Sequence, residues 1–316
     1  MKNKILIFSH LSDIDGMGGV VLAKLAFGDV DFVLCETFNL LDKIKEKIAD
    51  QSIYEYDQIF ITDMWLEDPE VIWQDPKLKD KVLVFDHHES SLAILENKTY
   101  DFITIRIKDE LGRCSGTSLF YQYLVNNNLL QPHASINTFV ELTRLYDTWE
   151  WVTVKNEPMA RDLTTLFNAV GANVYIDLMF DKLDVRPNGF TFSDLELSLI
   201  NNKNKQIKDK LQSYAKNIIY RNVLGLKAGI VFIDYEYRND FAQYLRDKQF
   251  PMDFVMMISM DNGTISYRYV TAGIKVLPIA EHFGGKGHDY AASSPISHET
   301  KEDIIDIICK RKRTKK

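Results

Sequence analysis

The sequence predicts an α/β protein whose N-terminal part is a mostly parallel sheet covered by helices. Two observations lead to this fold class. Short apolar segments without alternating polar residues recur through the first half of the chain, as expected for strands that are buried on both faces. Segments of helical length separate these strands, and the alternation of strand and helix is typical of a parallel sheet.

Each element of this first block is predicted from its own stretch of sequence. The segment KVLVF, for example, has four consecutive apolar residues after a lysine and predicts a buried strand. The strands are predicted at residues 4–9, 31–36, 58–62, 81–85 and 102–107. The helices are predicted at residues 19–27, 40–49, 116–125 and 135–146.

The second half of the chain predicts a linker helix and a smaller α/β domain. An S-x-x-E capping box at Ser193 marks the start of a long polar helix, whose composition suits a bridge between domains. That helix is predicted at residues 194–220, later strands near 229–234, 254–259 and 264–270, and a last helix near 276–283. The predicted parts are an N-terminal domain (1–185), a linker helix (186–224) and a C-terminal domain (225–316).

The composition indicates an ordinary globular protein, with 46% hydrophobic and 26% charged residues. No apolar segment approaches the ~20 residues needed to cross a bilayer. The first apolar stretch is interrupted by Ser9 and His10, unlike a secretory signal. We therefore expect a cytoplasmic protein without membrane contact. The three cysteines lie far apart, which argues against a disulfide framework or a zinc knuckle.

The distribution of charge also limits the partners. The net charge is −7, and the final seven residues, KRKRTKK, contribute +6, which leaves −13 for the rest. An acidic body is unusual in a protein that binds long nucleic acid, because phosphate neutralisation needs lysine and arginine. It fits a short substrate, or carboxylates gathered around metal ions. The basic tail is expected to be a solvated terminus, with RNA contact as the alternative.

Ionisable side chains follow three of the predicted strands at the point where each strand ends. The segments ILIFSHLSDIDG, IFITDMW and VLVFDHH all show this pattern, and in open α/β sheets ligands bind at the carboxyl edge. One such segment fits a polar loop, but the combination favours a metal or catalytic site. The candidate residues are His10, Asp13, Asp15, Asp63, Asp86, His87 and His88, with Asp147 following the helical segment FVELTRLY.

The types of these residues indicate the chemistry. Carboxylates and imidazoles without thiolates favour Mn²⁺ or Mg²⁺ over a structural zinc site. The set contains more ligands than one ion requires. A pair of ions ~3.5–4 Å apart, bridged by a carboxylate, would use the surplus and would activate water for attack on a phosphoryl group.

The ordered set resembles the four motifs of the DHH phosphoesterase superfamily: H-x-x-D-x-D-G at His10, then Asp63, then D-H-H, then Asp147. In the second block, TISYRYV and IAEHFGGKGHDYAAS resemble the DHH-associated domain. The resemblance covers nearly the whole chain and is greatest to the NrnB-like oligoribonucleases. Two departures stand out, because Lys286 interrupts the glycine run and Ser293 replaces a glycine that the family prefers.

The resemblance implies two Mn²⁺ ions per chain, with Mg²⁺ or Co²⁺ as substitutes. One ion would be bound by His10 and Asp13, and the other by Asp15, His87 and Asp147. Asp63 would bridge both ions. Asp86 would orient an imidazole without binding metal itself. His88 would face the scissile phosphate and protonate the leaving oxygen.

The resemblance also implies substrate-binding residues in the C-terminal domain. Arg268 and His288 would hold a phosphate of the substrate. The backbone of the glycine-rich turn would approach that phosphate closely; its residues are Gly284, Gly285, Lys286 and Gly287. The side chain of Lys286 either adds a cation there or points to solvent.

A further anion site is predicted from the residues alone. Arg113, Ser115 and Thr117 lie just before or within the start of a predicted helix. The amides and hydroxyls of a helix N-terminus suit an anion, although N-capping explains Ser115 almost as well.

Together these features predict a two-domain, Mn²⁺-dependent phosphodiesterase that releases 5′-mononucleotides from the 3′ end of short RNA. The expected partners are short RNA oligonucleotides or another small phosphodiester, with no obligate protein partner; a homodimer is compatible with the sequence. One alternative is hydrolysis of a cyclic or linear dinucleotide, a 3′,5′-bisphosphate nucleotide or pyrophosphate. Another is a non-catalytic nucleotide-binding regulator, against which the full ligand set argues.

Overall fold

The computed structural model describes residues 3–95, 98–185 and 188–310. The chain divides into two compact units, unit 1 (Met1–Lys203) and unit 2 (Asn204–Lys316). The basic tail from residue 311 onward and the predicted domain boundary at residue 186 lie outside the described residues. Within the described ranges, no helix is both long and apolar enough to span a membrane.

Unit 1 is built on a five-stranded sheet. Its strands are β1 (Ile5–His10), β2 (Asp31–Cys35), β3 (Gln58–Thr62), β4 (Val82–Asp86) and β5 (Ile103–Ile105). All neighbouring strands are parallel, in the order β2-β1-β3-β4-β5, which confirms the predicted fold class. The predicted fifth strand is shorter than expected because a small antiparallel ribbon follows, formed by β6 (Lys108–Asp109) and β7 (Gly112–Arg113).

Helices surround this sheet. They are α1 (Ile14–Phe27), α2 (Thr37–Ala49), α3 (Glu70–Trp73), α4 (Glu89–Ile94), α5 (Gly116–Asn126), α6 (Ala134–Asp147), α7 (Glu150–Thr153), α8 (Pro158–Val170) and α9 (Ala172–Val185). Helix α1 begins at Ile14 and not at the predicted residue 19, because Asp13 caps it by accepting a hydrogen bond from Gly16 N (2.9 Å). Helices α8 and α9 are additions to the predicted elements.

Apolar side chains fill both faces of the sheet in unit 1. Ile5 and Ile7 of β1 belong to a core cluster with α1, α5, α6, α8 and α9. Leu6 and Phe8 lie in a second cluster that includes side chains of α2. Strand β1 is therefore buried on both faces, and its last residue, His10, is its only partly exposed one.

Two glycines bring helices α1 and α5 close to the strand ends. A Cβ atom on Gly16 would lie 2.0 Å from the carbonyl oxygen of His10. A Cβ atom on Gly116 would lie 2.7 Å from the backbone nitrogen of Asp63. Since any larger residue would clash with backbone, these glycines allow the first turns of both helices to contact the polar edge of the sheet.

Helix α10 (Asp194–Lys216) runs across the division between the units, and unit 2 is built on a mixed sheet. Its strands are β8 (Ile219–Val223), β9 (Leu226–Phe232), β10 (Phe254–Ser259), β11 (Thr264–Tyr269), β12 (Lys286–His288) and β13 (Ala291–Pro295). The order is β12-β13-β11-β10-β9-β8, with β9 and β10 parallel and the other pairs antiparallel. The predicted helix at 194–220 is shorter than expected because β8 begins at Ile219.

In the described part of unit 2, the sheet is accompanied by α11 (Arg238–Asp247), α12 (Leu277–His282) and α13 (His298–Lys310). Helix α11 packs on one face of the sheet through Phe241 and Leu245, which join Val255 and Met257 of β10 in a core cluster. Helix α12 contributes to a separate cluster with Phe254 and other residues of the sheet. The sheet of unit 2 is therefore covered by a helix on each face.

Candidate metal centre

The predicted ligands lie at the carboxyl edge of the sheet in unit 1. His10 is the last residue of β1, Asp63 directly follows β3, and His87 directly follows β4. Asp15 lies in the first turn of α1, and Asp147 is the last residue of α6. Strand ends and helix ends from distant parts of the chain thus bring these side chains together.

A first group consists of His10, Asp13 and Asp63, whose potential ligand atoms all lie within 4.8 Å of one another. His10 Nδ1 lies 2.6 Å from Asp13 Oδ2 and 3.5 Å from Asp63 Oδ2. The second Asp13 oxygen accepts the capping hydrogen bond from Gly16 N. The cap of α1 therefore orients Asp13 toward His10.

A second group consists of Asp15, His87 and Asp147, again with ligand atoms within 4.8 Å of one another. His87 Nε2 lies 3.4 Å from Asp147 Oδ2 and 3.7 Å from Asp15 Oδ2. The same nitrogen lies 3.1 Å from Asp63 Oδ1. One imidazole nitrogen thus faces carboxylate oxygens from three different elements.

Asp63 lies between the two groups. Its Oδ2 faces His10 and its Oδ1 faces His87. Its backbone has a φ of 61°, in the left-handed region that non-glycine residues rarely enter and that recurs at functional sites. A hydrogen bond from its N–H to the carbonyl of Phe85 (2.9 Å) holds this conformation. One carboxylate therefore presents an oxygen to each group.

The start of helix α5 holds Asp15, which corrects one expectation. The backbone N–H groups of Gly116 and Thr117 donate to the Asp15 carboxylate at 2.6 and 3.0 Å. Ser115 caps the same helix by accepting from Ser118 N, and both Ser115 and Thr117 are fully buried. The helix N-terminus therefore faces the carboxylate of Asp15 and not a substrate, and we assign Ser115 and Thr117 to the positioning of Asp15.

The electrostatics of the centre fit bound cations. Burial, and next the charge of Asp15, raises the pKa of both Asp63 and Asp147 well above its usual range. The Oδ2 atoms of these two residues are buried without a hydrogen-bond partner. The nearest basic groups are His10 Nδ1, 3.5 Å from Asp63 Oδ2, and His87 Nε2, 3.4 Å from Asp147 Oδ2. Buried carboxylates cost several kcal/mol, on the order of the ion desolvation penalty, and a divalent cation would offset this cost.

The donor set also indicates which ions fit. The two groups offer carboxylates and imidazoles, which suit Mn²⁺ or Mg²⁺. Cys35, at the end of β2, is not part of either group, and burial raises the pKa of its thiol to about 11. The residues present therefore fit a pair of hard or borderline divalent ions.

Glu36 is a further residue of the centre that the sequence prediction omits. Its Oε2 lies 3.2 Å from His10 Nε2, and its other carboxylate oxygen accepts from Ser12 Oγ. Because the Glu36 carboxylate faces His10 Nε2, the other ring nitrogen, Nδ1, faces Asp13 and would bind the metal. The signal was present in the sequence, because Glu36 directly follows β2, as the other acids follow their strands.

His10 carries a proton in the absence of metal. Burial alone would lower the pKa of His10, but hydrogen bonds and charge from Asp13 and Asp63 raise it to about 11. A metal ion binding at Nδ1 would therefore displace a proton, so that metal affinity rises with pH.

His88 and Asp86 form a hydrogen-bonded pair beside the two groups. His88 Nδ1 lies 2.7 Å from Asp86 Oδ1, and Ser91 Oγ donates to the other Asp86 oxygen. Burial alone would lower the pKa of His88, but Asp86 raises it. His88 also lies within 4.8 Å, by ligand atoms, of Asp63 and His87. Asp86 thus orients the imidazole of His88, which reaches the edge of the metal-binding groups.

The predicted substrate residues of unit 2 share one face of its sheet. Arg268 on β11 and His288 on β12 both pair with Ala291 on the intervening strand β13. Directly paired residues point to the same face, so the two side chains stand two strands apart, about 10 Å at the usual strand spacing. His288 and Lys286 are exposed, whereas Arg268 is half-buried.

The glycine-rich turn approaches protein backbone. Gly284 has a φ of 72°, which favours glycine. A Cβ atom on Gly285 would lie 2.3 Å from the carbonyl oxygen of Ser293, and one on Gly287 2.5 Å from Cα of Ala292. The glycines thus allow the turn to pack on β13, which is a structural reason for the motif in addition to the predicted phosphate contact.

Arg113 is an exposed residue at the end of β7. Its guanidinium lies 3.5 Å from a carboxylate oxygen of Glu89. Its backbone is tied to two other charged residues, since its carbonyl accepts from Arg144 and its N–H donates to Glu150. The side chain is therefore accessible, but it already has an acidic neighbour.

Comparison with known proteins gives one curated relative. No family model matches the chain. Oligoribonuclease NrnB from Bacillus subtilis (strain 168) is 29% identical over 310 residues, covering 95% of this chain and 74% of that protein.

Solved structures with the same fold include three with low sequence identity. The DHH domain of a member of a family of ribosomal proteins has a TM-score of 0.58 at 12% identity, covering 98% of this chain and 86% of that chain. Exonuclease RecJ bound to manganese has a TM-score of 0.55 at 15% identity, with 98% and 91% covered. The pGpG-specific phosphodiesterase PggH from Vibrio cholerae has a TM-score of 0.53 at 13% identity, with 96% and 97% covered.

Proposed function

Since the chain belongs to the DHH phosphoesterase superfamily, we propose that it is a metal-dependent phosphodiesterase that degrades short RNA oligonucleotides to 5′-mononucleotides from the 3′ end. We assign the metal chemistry to unit 1 and the binding of a substrate phosphate to unit 2. The relative NrnB, which is named an oligoribonuclease, supports the choice of short RNA. The acidic composition of the chain supports a short substrate over long nucleic acid.

One observation carries the proposal of two metal ions. Asp63 turns one carboxylate oxygen toward His10 and the other toward His87, and its Oδ2 is buried without a hydrogen-bond partner. A bridging carboxylate between two divalent ions needs this arrangement. We propose two Mn²⁺ ions per chain, one held by the first group, one by the second, and both by Asp63.

The side chains of unit 1 then have separate tasks. When bound, the two ions lower the pKa of a water molecule and neutralise charge on the phosphoryl group. Asp86, which is hydrogen-bonded to His88 Nδ1, raises the pKa of His88 and so favours the imidazolium, in which both ring nitrogens carry a proton. The proton on Nδ1 faces Asp86, and the proton on Nε2 would be donated to the leaving oxygen by general acid catalysis.

Product analysis with the full-length protein tests this function. Metal-free protein is supplied with Mn²⁺ and incubated with di- to heptanucleotide RNA, cyclic dinucleotides, adenosine 3′,5′-bisphosphate and pyrophosphate. We expect 5′-mononucleotides from RNA, progressive shortening of a 5′-labelled oligonucleotide and no product after chelation. The proposal fails if RNA is stable with Mn²⁺ while another compound of the panel is hydrolysed. Shortening of a 3′-labelled oligonucleotide from its 5′ end would reverse the proposed polarity.

A further inference from the structure

Trp149 is an exposed aromatic residue beside the metal centre that the metal chemistry does not use. It follows Asp147 by two residues, so the Cα atoms of the two residues lie at most ~7 Å apart. The exposed fraction of Trp149 is 49%, although tryptophan is highly buried on average. One exposed apolar side chain is ordinary in itself, but three further features distinguish this one.

The first feature is the backbone of Trp149. Helix α6 ends at Asp147 with Thr148 as its C-cap, and Trp149 comes next with a φ of 65° and a ψ of 7°. This left-handed position after a helix is usually occupied by glycine, because a side chain disfavours it. Left-handed backbone at bulky residues is rare and recurs at functional sites. A glycine would fit the end of α6 with less strain, so the fold alone does not account for an indole here.

The second feature is the support of the indole. Its ring meets the ring of Trp151 edge to face, with centroids 5.8 Å apart, and Trp151 stacks on Tyr146 at 6.1 Å. Trp151 and Tyr146 both pack against the core cluster on the α1 side of the sheet. The next residue, Glu150, forms an ion pair with the buried Arg144. The indole is therefore held from within unit 1 while about half of its surface faces solvent. A surface that is ordered in advance loses little entropy when a ligand binds.

The third feature is the position of Trp149 at the rim of the metal centre. Glu150 accepts a hydrogen bond from the backbone N–H of Arg113 (3.3 Å). The guanidinium of Arg113 lies 3.5 Å from a carboxylate oxygen of Glu89, which directly follows His88. Arg113 thus connects the segment that carries Trp149 with the segment that carries the D-H-H motif. An aromatic surface on this rim is continuous with the second group of metal ligands.

We propose that Trp149 stacks on a nucleobase and so selects phosphoesters that carry a base next to the phosphate at the metal centre. Every nucleobase has a π-face, so one aromatic platform accepts all four. Metal ions attract any phosphate, and the acidic composition of the chain adds no general attraction for nucleic acid. Contact with the base would then distinguish a nucleotide from pyrophosphate or a sugar phosphate. This inference rests on the proposed function for the reaction, whereas the stacking site is testable without hydrolysis.

Calorimetric binding to the full-length protein in Mn²⁺ tests the proposal. The probes are adenosine 5′-monophosphate and ribose 5-phosphate, which share the sugar and the phosphate and differ in the base. Neither contains a phosphodiester, so the proposed reaction does not consume them. We expect adenosine 5′-monophosphate to bind about ten-fold or more tightly, since one stacked base contributes about five- to a hundred-fold in affinity.

Variants connect this preference to the indole. Trp149→Leu keeps an apolar side chain without a π-face and should lose most of the preference, whereas Trp149→Phe should retain more of it. Both should bind ribose 5-phosphate within about two-fold of the wild type. Phe32→Leu is the matched control, because Phe32 is an exposed aromatic residue near the amino end of β2, away from the carboxyl edge, and should change neither affinity. Melting temperatures and Mn²⁺ titrations show whether each variant is folded and keeps its metal ligands in place.

Each outcome decides between the two proposals. Equal binding of the two probes by the wild type overturns the stacking site, even where a variant fails to fold. Equal losses for both probes in Trp149→Leu also overturn it, because Trp149 would then act through the position of Asp147. If the preference depends on Trp149 and yet no RNA is hydrolysed with Mn²⁺, the site stands and the proposed function fails. If RNA is hydrolysed and the preference is absent, the function stands and the site fails.

Discussion

Replacing Asp63 with asparagine should have opposite effects on the protein with and without metal. In the metal-free protein, the substitution removes a buried charge that burial, Asp15 and Asp13 all disfavour. In the metal-bound protein, it removes the charge that faces both ligand groups. We therefore expect Asp63→Asn to stabilise the metal-free fold and to abolish most of the activity.

The size of the first effect follows from the geometry. Ligand oxygens of Asp63 and Asp13 lie within 4.8 Å of each other, where two charges repel by about 3.5 kcal/mol at an effective dielectric constant of about 20. Asp63 can avoid this by holding a proton, which at pH 7 costs about 4.4 kcal/mol for a group with an ordinary pKa of 3.8. Attraction to His10 offsets part of the repulsion. We expect a net gain of about 2 kcal/mol, or ~4–8 °C in melting temperature.

The pH dependence has a definite sign. The pKa of Asp63 is raised in the metal-free fold. The protonated carboxyl therefore stabilises the fold below the pKa of the unfolded state, which is about 4, and this stabilisation is lost as the pH rises from there through the raised pKa of the folded state. The advantage of the asparagine variant should therefore be small near pH 4 and larger at pH 7.

Thermal unfolding in chelator, with and without added Mn²⁺, measures these effects. Asp29→Asn, at an exposed bend after α1, is the matched control and should change nothing. Loss of the bridging charge should lower kcat by ~10²-fold or more, the scale seen when a principal electrostatic element is removed. A chelated Asp63→Asn protein that melts at or below the wild type at pH 7 would show that these carboxylates do not repel one another, and the electrostatic basis of the metal centre would be lost.

Substitutions of Glu36 test the metal centre, and a thiol reagent tests the burial of the cysteines. Glu36→Ala should weaken Mn²⁺ binding by ~10–100-fold in calorimetric titrations. Glu36→Gln should retain more affinity, because its amide oxygen still accepts a hydrogen bond from His10 Nε2. Equal losses of affinity in the two variants would exclude an orienting hydrogen bond. A thiol reagent such as DTNB should modify Cys309 quickly, because this residue is exposed. It should modify Cys35 and Cys114 only after denaturation, because both are buried and burial raises the pKa of each thiol to about 11. Rapid reaction of more than one thiol in the native protein would contradict this burial.

The sheet of unit 1 and the position of its candidate ligands were predictable because two local signals coincide. Runs such as ILIF and VLVF are apolar without alternation, which is a strong strand pattern. The parallel arrangement then places every strand end at one edge, so His10, Asp63 and His87 had to lie near one another. The exact start of α1 is not predictable in this way, because Gly16 and Gly18, which precede the predicted helix at 19–27, look like loop residues although they are helical.

Other features were not predictable because their signals are weak or spread along the chain. Strand β13 is formed by AASSP, which lacks β-branched and aromatic residues. Arg268 of β11 donates to Asn239 of α11, and no local spacing connects these two residues. The helix N-terminus after Ser115 faces the carboxylate of Asp15, a residue distant in sequence that no local pattern connects with it.

The way in which the carboxylates are held explains how a self-repelling centre exists inside a folded protein. Asp13 accepts from Gly16 N at the start of α1, and Asp15 accepts from two backbone N–H groups at the start of α5. Helix N-termini carry partial positive charge, so both carboxylates are compensated by the fold itself. Asp63 and Asp147 lack such partners at Oδ2. Their Oδ2 atoms face the imidazoles of His10 and His87 instead. Backbone N–H groups thus stabilise two of the four acids, while the other two face the positions where divalent cations would bind.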